Sequence, residues 1–453
     1  MGLPVNDQLN RSALLKQALY TFVLDAEGDV ATALEQYSAD RLKHWSATNL
    51  QGISRSDLAI DMFLTEGQVA NQSVLDIFVQ NQPTLAAAEA ALVQSWKHAF
   101  NGLFAVVQVT AERYEVMNWL TAKRYWVTPN GTQSAGELSR LSPGEIVVTR
   151  LLPDGDSGWT FSGPLMLLGK LGKPKLAVAI GNFKNWFPNY LYGDAPELLA
   201  EAWQSVEHYH HDFVEFFGGD RVTLSGYELN KKLKDYQEVT TQRRLAELGV
   251  DGSKSLKDLV AESGMSEEEV AESVEAFGED SGEVSRLLKG DQAIKMAMPP
   301  INLPDDLRRA EAVTVFVHPR WGQTFLKDYV RLTQLLSAAD EAATAKADQL
   351  IQKYLKEDAV NVYVWRSLAQ DHPEPLMASL GRCLNRSDLT PDDLDQVLAE
   401  AGKPLEPTLP EIASVPVHLR NLFQEALEEV GQSASKKKSK GKGKQKQKTG
   451  FAV

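Results

Sequence analysis

Between Asn101-Gly102 and Leu168 the chain leaves helical spacing for short runs rich in Val, Tyr, Trp and Thr, and this segment constrains the fold most. The runs are Leu103–Val109, Tyr114–Leu120, Arg124–Val127, Glu145–Leu152 and Trp159–Leu167. β-Branched and aromatic side chains suit a pleated, half-buried surface. Turn signals stand between them: Pro129-Asn130-Gly131, Ser142-Pro143-Gly144 and Asp154-Gly155-Asp156. Five strands joined in this way predict a small antiparallel β barrel or strongly coiled sheet over 102–175. Such modules bind peptides or single-stranded nucleic acid, or simply pack on their neighbours.

Helical sequence flanks the β module, so the expected class is α+β, a mostly helical multi-domain chain. In 1–101, Leu14, Leu15, Ala18, Leu19, Phe22 and Val23 fall at helical spacing, and Thr84 is placed to cap an alanine-rich helix running to about Phe100. In 176–248, Leu198, Leu199, Ala202, Trp203, Val206, Tyr209 and Phe213 line one face of a long helix that stops at Gly218-Gly219. A second, charged helix runs from Tyr227 to about Leu248. Residues 249–304 read as an acidic linker or helical hairpin closed by Pro299-Pro300, and 305–430 as a mainly helical domain with one strand, Val313–Val317.

Charge is strongly partitioned. Lys436, Lys437, Lys438, Lys440, Lys442, Lys444, Lys446 and Lys448 stand in a tail, 431–453, that has no acid and almost nothing apolar, so it is expected to be disordered. The other 430 residues hold 39 basic and 61 acidic side chains, a net of −22. A body of that sign repels phosphate over most of its surface, so any nucleic-acid contact has to be local. The single cysteine, Cys383, excludes an intrachain disulfide and a cysteine-built zinc site. No run approaches the ~20 apolar residues of a membrane-spanning helix, and Met1–Asn6 lacks a signal peptide's pattern. A cytoplasmic protein without membrane insertion is the expectation.

Glu207-His208-Tyr209-His210-His211-Asp212 is the densest group of metal-ligand types, and on a helix His208, His211 and Glu215 share a face. No second Glu-x-x-His exists for a di-iron bundle, and the order does not fit a zinc-protease helix. Gly163–Leu171 has five residues between its glycines and Leu171 after Lys170, so it fails as a phosphate-binding loop. Leu256–Val274 has helix-turn-helix spacing, but its second helix offers Glu267, Glu268, Glu269 and Glu272 where phosphates would lie. No Gly-x-Ser-x-Gly elbow is present, and no complete motif calls for a cofactor. Trp119, Trp126 and Trp159 in the β module are core residues or a stacking surface for bases or a peptide.

Gly102–Val107, Leu120–Tyr125, Ile146–Pro153 and Trp159–Gly163 carry a resemblance. Over 102–168 the chain resembles a β segment of uncharacterised bacterial proteins, some bearing a C-terminal SEC-C zinc motif. The cysteines of that motif are missing here, and the resemblance brings no activity. The leading expectation is a non-catalytic interaction or assembly factor with protein partners. The alternatives are an RNA- or ribosome-associated protein using the lysine tail and β module, and a metal-dependent enzyme at the His208/His211 helix.

Overall fold

The computed structural model describes residues 5–45, 54–131, 133–155, 158–247, 303–338, 340–423, 425, 426 and 429. The lysine tail, most of the 249–304 segment and the helix-turn-helix-like stretch lie outside these residues. The chain divides into two compact units, residues 1–202 with the stretch from 414 onward, and residues 203–413. Among the described residues no helix is long and apolar enough to cross a membrane.

In the first unit, α1 (Val5–Leu24), α2 (Asp29–Trp45), α3 (Arg55–Glu66), a two-residue hairpin β1 (Gln68–Val69) and β2 (Gln72–Ser73), α4 (Val74–Gln80) and α5 (Ala87–Ser95) form the helical part. The Ser54 and Ser73 hydroxyls accept the N–H groups of Asp57 and Asp76 in the first turns of α3 and α4, which fixes where each begins. Leu15 and Leu19 of α1 pack with Phe63 of α3, Phe78 of α4 and Trp96. The helix expected to start at Thr84 starts at Ala87. Leu85 N–H closes a turn on the Gln82 carbonyl at 3.0 Å, and the Glu89 carboxylate takes the Ala86 N–H at 2.7 Å.

The β module is a closed five-stranded barrel. Its strands are β3 (Phe100–Val109), β4 (Tyr114–Asn118), β5 (Arg124–Thr128), β6 (Ile146–Asp154) and β7 (Gly158–Phe161), with α6 (Ala135–Arg140) between β5 and β6. The order around the ring is β3-β4-β5-β7-β6, closed where Phe100–Ala105 pairs antiparallel with Ile146–Leu151. One pair departs from the antiparallel expectation: β5 and β7 run parallel, with Val127 opposite Trp159. The fifth run expected from sequence is split, because Ser162-Gly163-Pro164 interrupts it before β8 (Met166–Gly169), and both pieces pair with β6. Phe104, Val116, Val127, Val147, Leu151 and Phe161 fill the interior.

Two buried polar networks fasten the barrel to the helices. Arg150 of β6, 1% exposed, meets Glu66 at 2.6 Å and donates to the Thr65 hydroxyl at 2.6 Å and the Tyr190 hydroxyl at 3.1 Å. Glu66 also accepts from Tyr37 and Tyr190. On the other side, Lys16 of α1 meets Asp61 of α3 at 2.7 Å and donates to both the hydroxyl (2.9 Å) and the carbonyl of Ser162. Gly163 closes against this lock. A Cβ there would lie 2.6 Å from Asp61 Oδ2 and 2.9 Å from its Cγ. Gly163→Ala is therefore expected to lower stability by about 1–3 kcal/mol through overpacking, read as a lower denaturation midpoint.

After β8 the chain continues through α7 (Lys173–Trp186) into α8 (Pro196–Phe217), within which the two units divide. Trp45 donates its indole N–H to the Trp186 carbonyl at 3.1 Å. Burial pushes the phenols of Tyr190 and Tyr192 up to about 12 from an ordinary 10.0. A raised phenol favours the folded state below the unfolded value and gives that stability up as pH climbs to the folded value. Denaturant unfolding of the first unit should hold its midpoint up to pH 10 and lose it between there and pH 12.

The second unit is built on a three-stranded antiparallel sheet in the order β11-β10-β9, from β9 (Arg221–Leu224), β10 (Val313–His318) and β11 (Gly322–Leu326). Alternation along β10 sends Val313, Val315 and Val317 to a core with Phe213 of α8 and Leu229 and Leu233 of α9 (Gly226–Glu247). Phe316 faces the opposite core with Tyr329, Leu332, Ile351 and Trp365. The helices there are α10 (Asp305–Arg308), α11 (Tyr329–Ser337), α12 (Glu341–Lys356), α13 (Val362–Asp371), α14 (Pro373–Leu384) and α15 (Leu394–Glu400). The sequence predicts one strand here, and two partners were missed. β9 is four residues long with an exposed–intermediate alternation, and β11 follows β10 through a turn without an Asn-Gly or Asp-Gly signal. Because β9 pairs with β10, residues 203–247 and 303–413 form one unit where sequence reading separates them.

Candidate nucleic-acid interface on the barrel

Period-two alternation assigns the side chains of β4 and β5 to opposite faces. Tyr114, Val116, Tyr125 and Val127 belong to the barrel's core cluster, which leaves Glu115, Met117, Arg124 and Trp126 on the outside. The register sets Glu115 opposite Trp126 and Met117 opposite Arg124, so these four make one contiguous outer patch. Arg113, in the loop entering β4, lays its guanidinium 4.4 Å from the centre of the Trp126 ring. Arg124 reaches Glu115 at 3.4 Å and stays largely exposed. The patch thus offers a half-buried indole with two guanidinium groups beside it.

The hairpin end of this patch is rigidly held. Asp194 accepts hydrogen bonds from Asn118 (3.1 Å), Thr121 (2.9 Å) and Tyr125 (2.6 Å), while Lys123 donates to the Asp194 carbonyl at 2.7 Å and pairs with Glu197 at 2.8 Å. Burial, reinforced by Asp194, pushes the Tyr125 phenol well above its ordinary range, so it stays a hydrogen-bond donor. Ala122 takes a left-handed backbone, φ 57°, to make the turn. The stretch after residue 413 also returns to this end. The His418 ring nitrogen lies 2.9 Å from the Trp119 carbonyl, and Glu425 pairs with Lys173 of α7 at 3.0 Å. The described residues between 414 and 429 therefore belong to the barrel-bearing unit, although the second unit precedes them in sequence.

The three tryptophans singled out by composition do not form one platform. Trp126 alone faces outward on the patch. Trp159 packs edge-on to Phe100 (5.4 Å) and Tyr125 (5.3 Å) against the barrel core. Trp119 stands in the hairpin turn with its indole nitrogen buried. The eight lysines of the tail lie outside the described residues. Sequence reading missed Arg113 and Arg124 as members of the patch. The alternation in 113–118 and 124–128 was a usable signal, but pairing Glu115 with Trp126 requires the strand register.

The histidine-bearing helix gives a different grouping from the one expected. His211, Asp212 and Glu215 bring ligand atoms within 4.8 Å of one another, and His208 is not in that group. Arg243 of α9 already fills the place of a cation, bonding Asp212 at 3.1 Å and Glu215 through two contacts of 2.8 and 3.1 Å. The guanidinium holds the exposed Glu215 carboxyl below its usual range.

No family model, no curated protein and no solved structure matches this chain.

Proposed function

We propose that this chain binds single-stranded nucleic acid across the β4–β5 face of its barrel, with the lysine tail adding sequence-independent attraction. The supporting observation is the barrel itself. Counting its strands along the chain, the ring runs first-second-third-fifth-fourth, with the third and fifth parallel and a helix between the third and fourth. This is a five-stranded Greek-key closure of the oligonucleotide- and oligosaccharide-binding kind, whose second and third strands carry the ligand. On this chain β5 presents Trp126 and Arg124, the latter paired with Glu115 of β4, and Arg113 from the preceding loop lays its guanidinium over the indole, a ring and cations of the kind that hold single strands.

Charge supports the same face. The body has a net of −22, yet residues 100–170 hold six basic and six acidic side chains, so the barrel is neutral within an acidic protein. A single strand laid there avoids the repulsion that the rest of the surface imposes. The leading expectation from sequence, an assembly factor with protein partners, differs from this reading in what nuclease removes.

The test is an anisotropy titration of a labelled single-stranded oligonucleotide into the full chain and into residues 1–430. The full chain is expected to bind with an affinity that falls steeply with salt, by roughly 0.7 in log–log slope per phosphate neutralised. The shorter chain should bind more weakly with a shallower slope. Binding that is absent at low salt in both would remove the proposal. Protein partners that survive nuclease and high salt would favour the assembly-factor reading.

A further inference from the structure

Of the charged side chains on the β4–β5 patch, Glu115 is the one that does not suit a phosphate backbone, since its carboxylate repels one. Its place is set by the ladder. The Asn118 N–H bonds the Lys123 carbonyl at 2.9 Å, which marks a hydrogen-bonded position at the hairpin end. Counting back from it, Glu115 and Trp126 form a non-hydrogen-bonded pair. In such a pair the Cα atoms approach to about 4.5 Å and the side chains lie closest. Arg124 is the diagonal neighbour of Glu115 and reaches its Oε1 through one long contact of 3.4 Å. The glutamate is the more buried member, its side chain 16% exposed against 59% for the arginine. Among the described residues no donor reaches Oε2, yet that atom keeps contact with solvent, so an acceptor is left open beside the indole.

We infer that Glu115 selects guanine at the position stacked over Trp126, an assignment that rests on single-strand binding at this face. A base laid on the indole, or on the Arg113 guanidinium above it, turns an edge toward the next side chain on the sheet. That side chain is the Glu115 carboxylate, an acceptor with two oxygens and no proton to give. Guanine carries N1–H and the 2-amino group side by side on its Watson–Crick edge, a fork that matches both oxygens of one carboxylate. Adenine and cytosine place a ring acceptor next to their amino group. Thymine and uracil hold one N–H between two carbonyls. Each of these sets a lone pair against the acid. Guanine displaces only the long, exposed contact from Arg124, a weak pair, and frees that guanidinium for a neighbouring phosphate.

Anisotropy titration of the full chain with labelled oligothymidylates tests this, each carrying one central guanine, adenine, cytosine or hypoxanthine. A single guanine per strand builds no quadruplex, so the comparison reads the base alone. Guanine is expected to raise affinity roughly fivefold or more over adenine and cytosine, the discrimination of one bidentate contact. Hypoxanthine keeps N1–H and lacks the amino group, so it should lose most of that gain. Glu115→Gln should remove the preference and leave binding of plain oligothymidylate equal or tighter, because the amide does not repel phosphate. The base comparison in the unaltered chain holds whatever the variant's stability. Equal affinity for the four sequences would overturn the guanine assignment and leave single-strand binding standing. A guanine preference retained in Glu115→Gln would overturn the role of that carboxylate. No binding of any strand at low salt would remove both readings.

Discussion

Trp126→Ala is expected to weaken oligonucleotide binding by roughly five- to 150-fold, the loss of about 1–3 kcal/mol of base stacking. The indole lies on the outer face of β5 with Arg113 over it, and it is not part of the barrel's core cluster. Its removal should therefore shift unfolding by only about 1 kcal/mol, the loss of a half-buried ring and its Arg113 contact. Trp159→Ala is the informative contrast. That ring is wedged against Phe100 and Tyr125, so its loss should cost about 3 kcal/mol or more of stability. Anisotropy for affinity and denaturant unfolding for stability separate the two effects. Equal loss of affinity and stability in both variants would show that neither ring contacts the ligand.

Arg150→Ala should have the largest effect on folding. The guanidinium is 1% exposed and bonds Glu66, Thr65 and Tyr190 at once. Removing one member of a buried ion pair strands the other, at about 3–5 kcal/mol. Glu66 retains some contact with water, which places the expected loss toward the lower end. Tyr37 and Arg41 also face Glu66, so the carboxylate keeps a donor after the change. The measurable result is a lower first midpoint in denaturant, with the second unit's transition unmoved. An unchanged midpoint would mean that the network tunes orientation rather than holding the barrel in place.

Much of the barrel is legible in the sequence because its information is local. Val, Tyr and Trp alternate with polar residues, and Asn-Gly and Pro-Gly pairs mark the turns. Closure is not local. That Phe100–Ala105 meets Ile146–Leu151, and that β7 returns parallel to β5, depends on pairings between segments dozens of residues apart. The binding patch inherits this limit. Arg113, Trp126 and Arg124 become neighbours only once β4 and β5 are in register. The Lys16–Asp61–Ser162 lock is harder still to read, since its members come from two helices and a barrel connection, and each is unremarkable in its own segment. The grouping of His208, His211 and Glu215 shows the opposite limit. Helical spacing alone joins His208 to the other two, but it cannot reveal that Arg243, from a different helix, occupies the carboxylates.

The proposed function requires a single strand to lie across β4 and β5. Photocrosslinking of a 4-thiouridine oligonucleotide to the full chain at low salt, followed by peptide mapping, tests this most directly. Crosslinks at Arg113, Trp126 or the residues between Tyr114 and Thr128, lost in Trp126→Ala, are the predicted result. Crosslinks confined to residues 203–413, or the same crosslinks retained in Trp126→Ala, would contradict it.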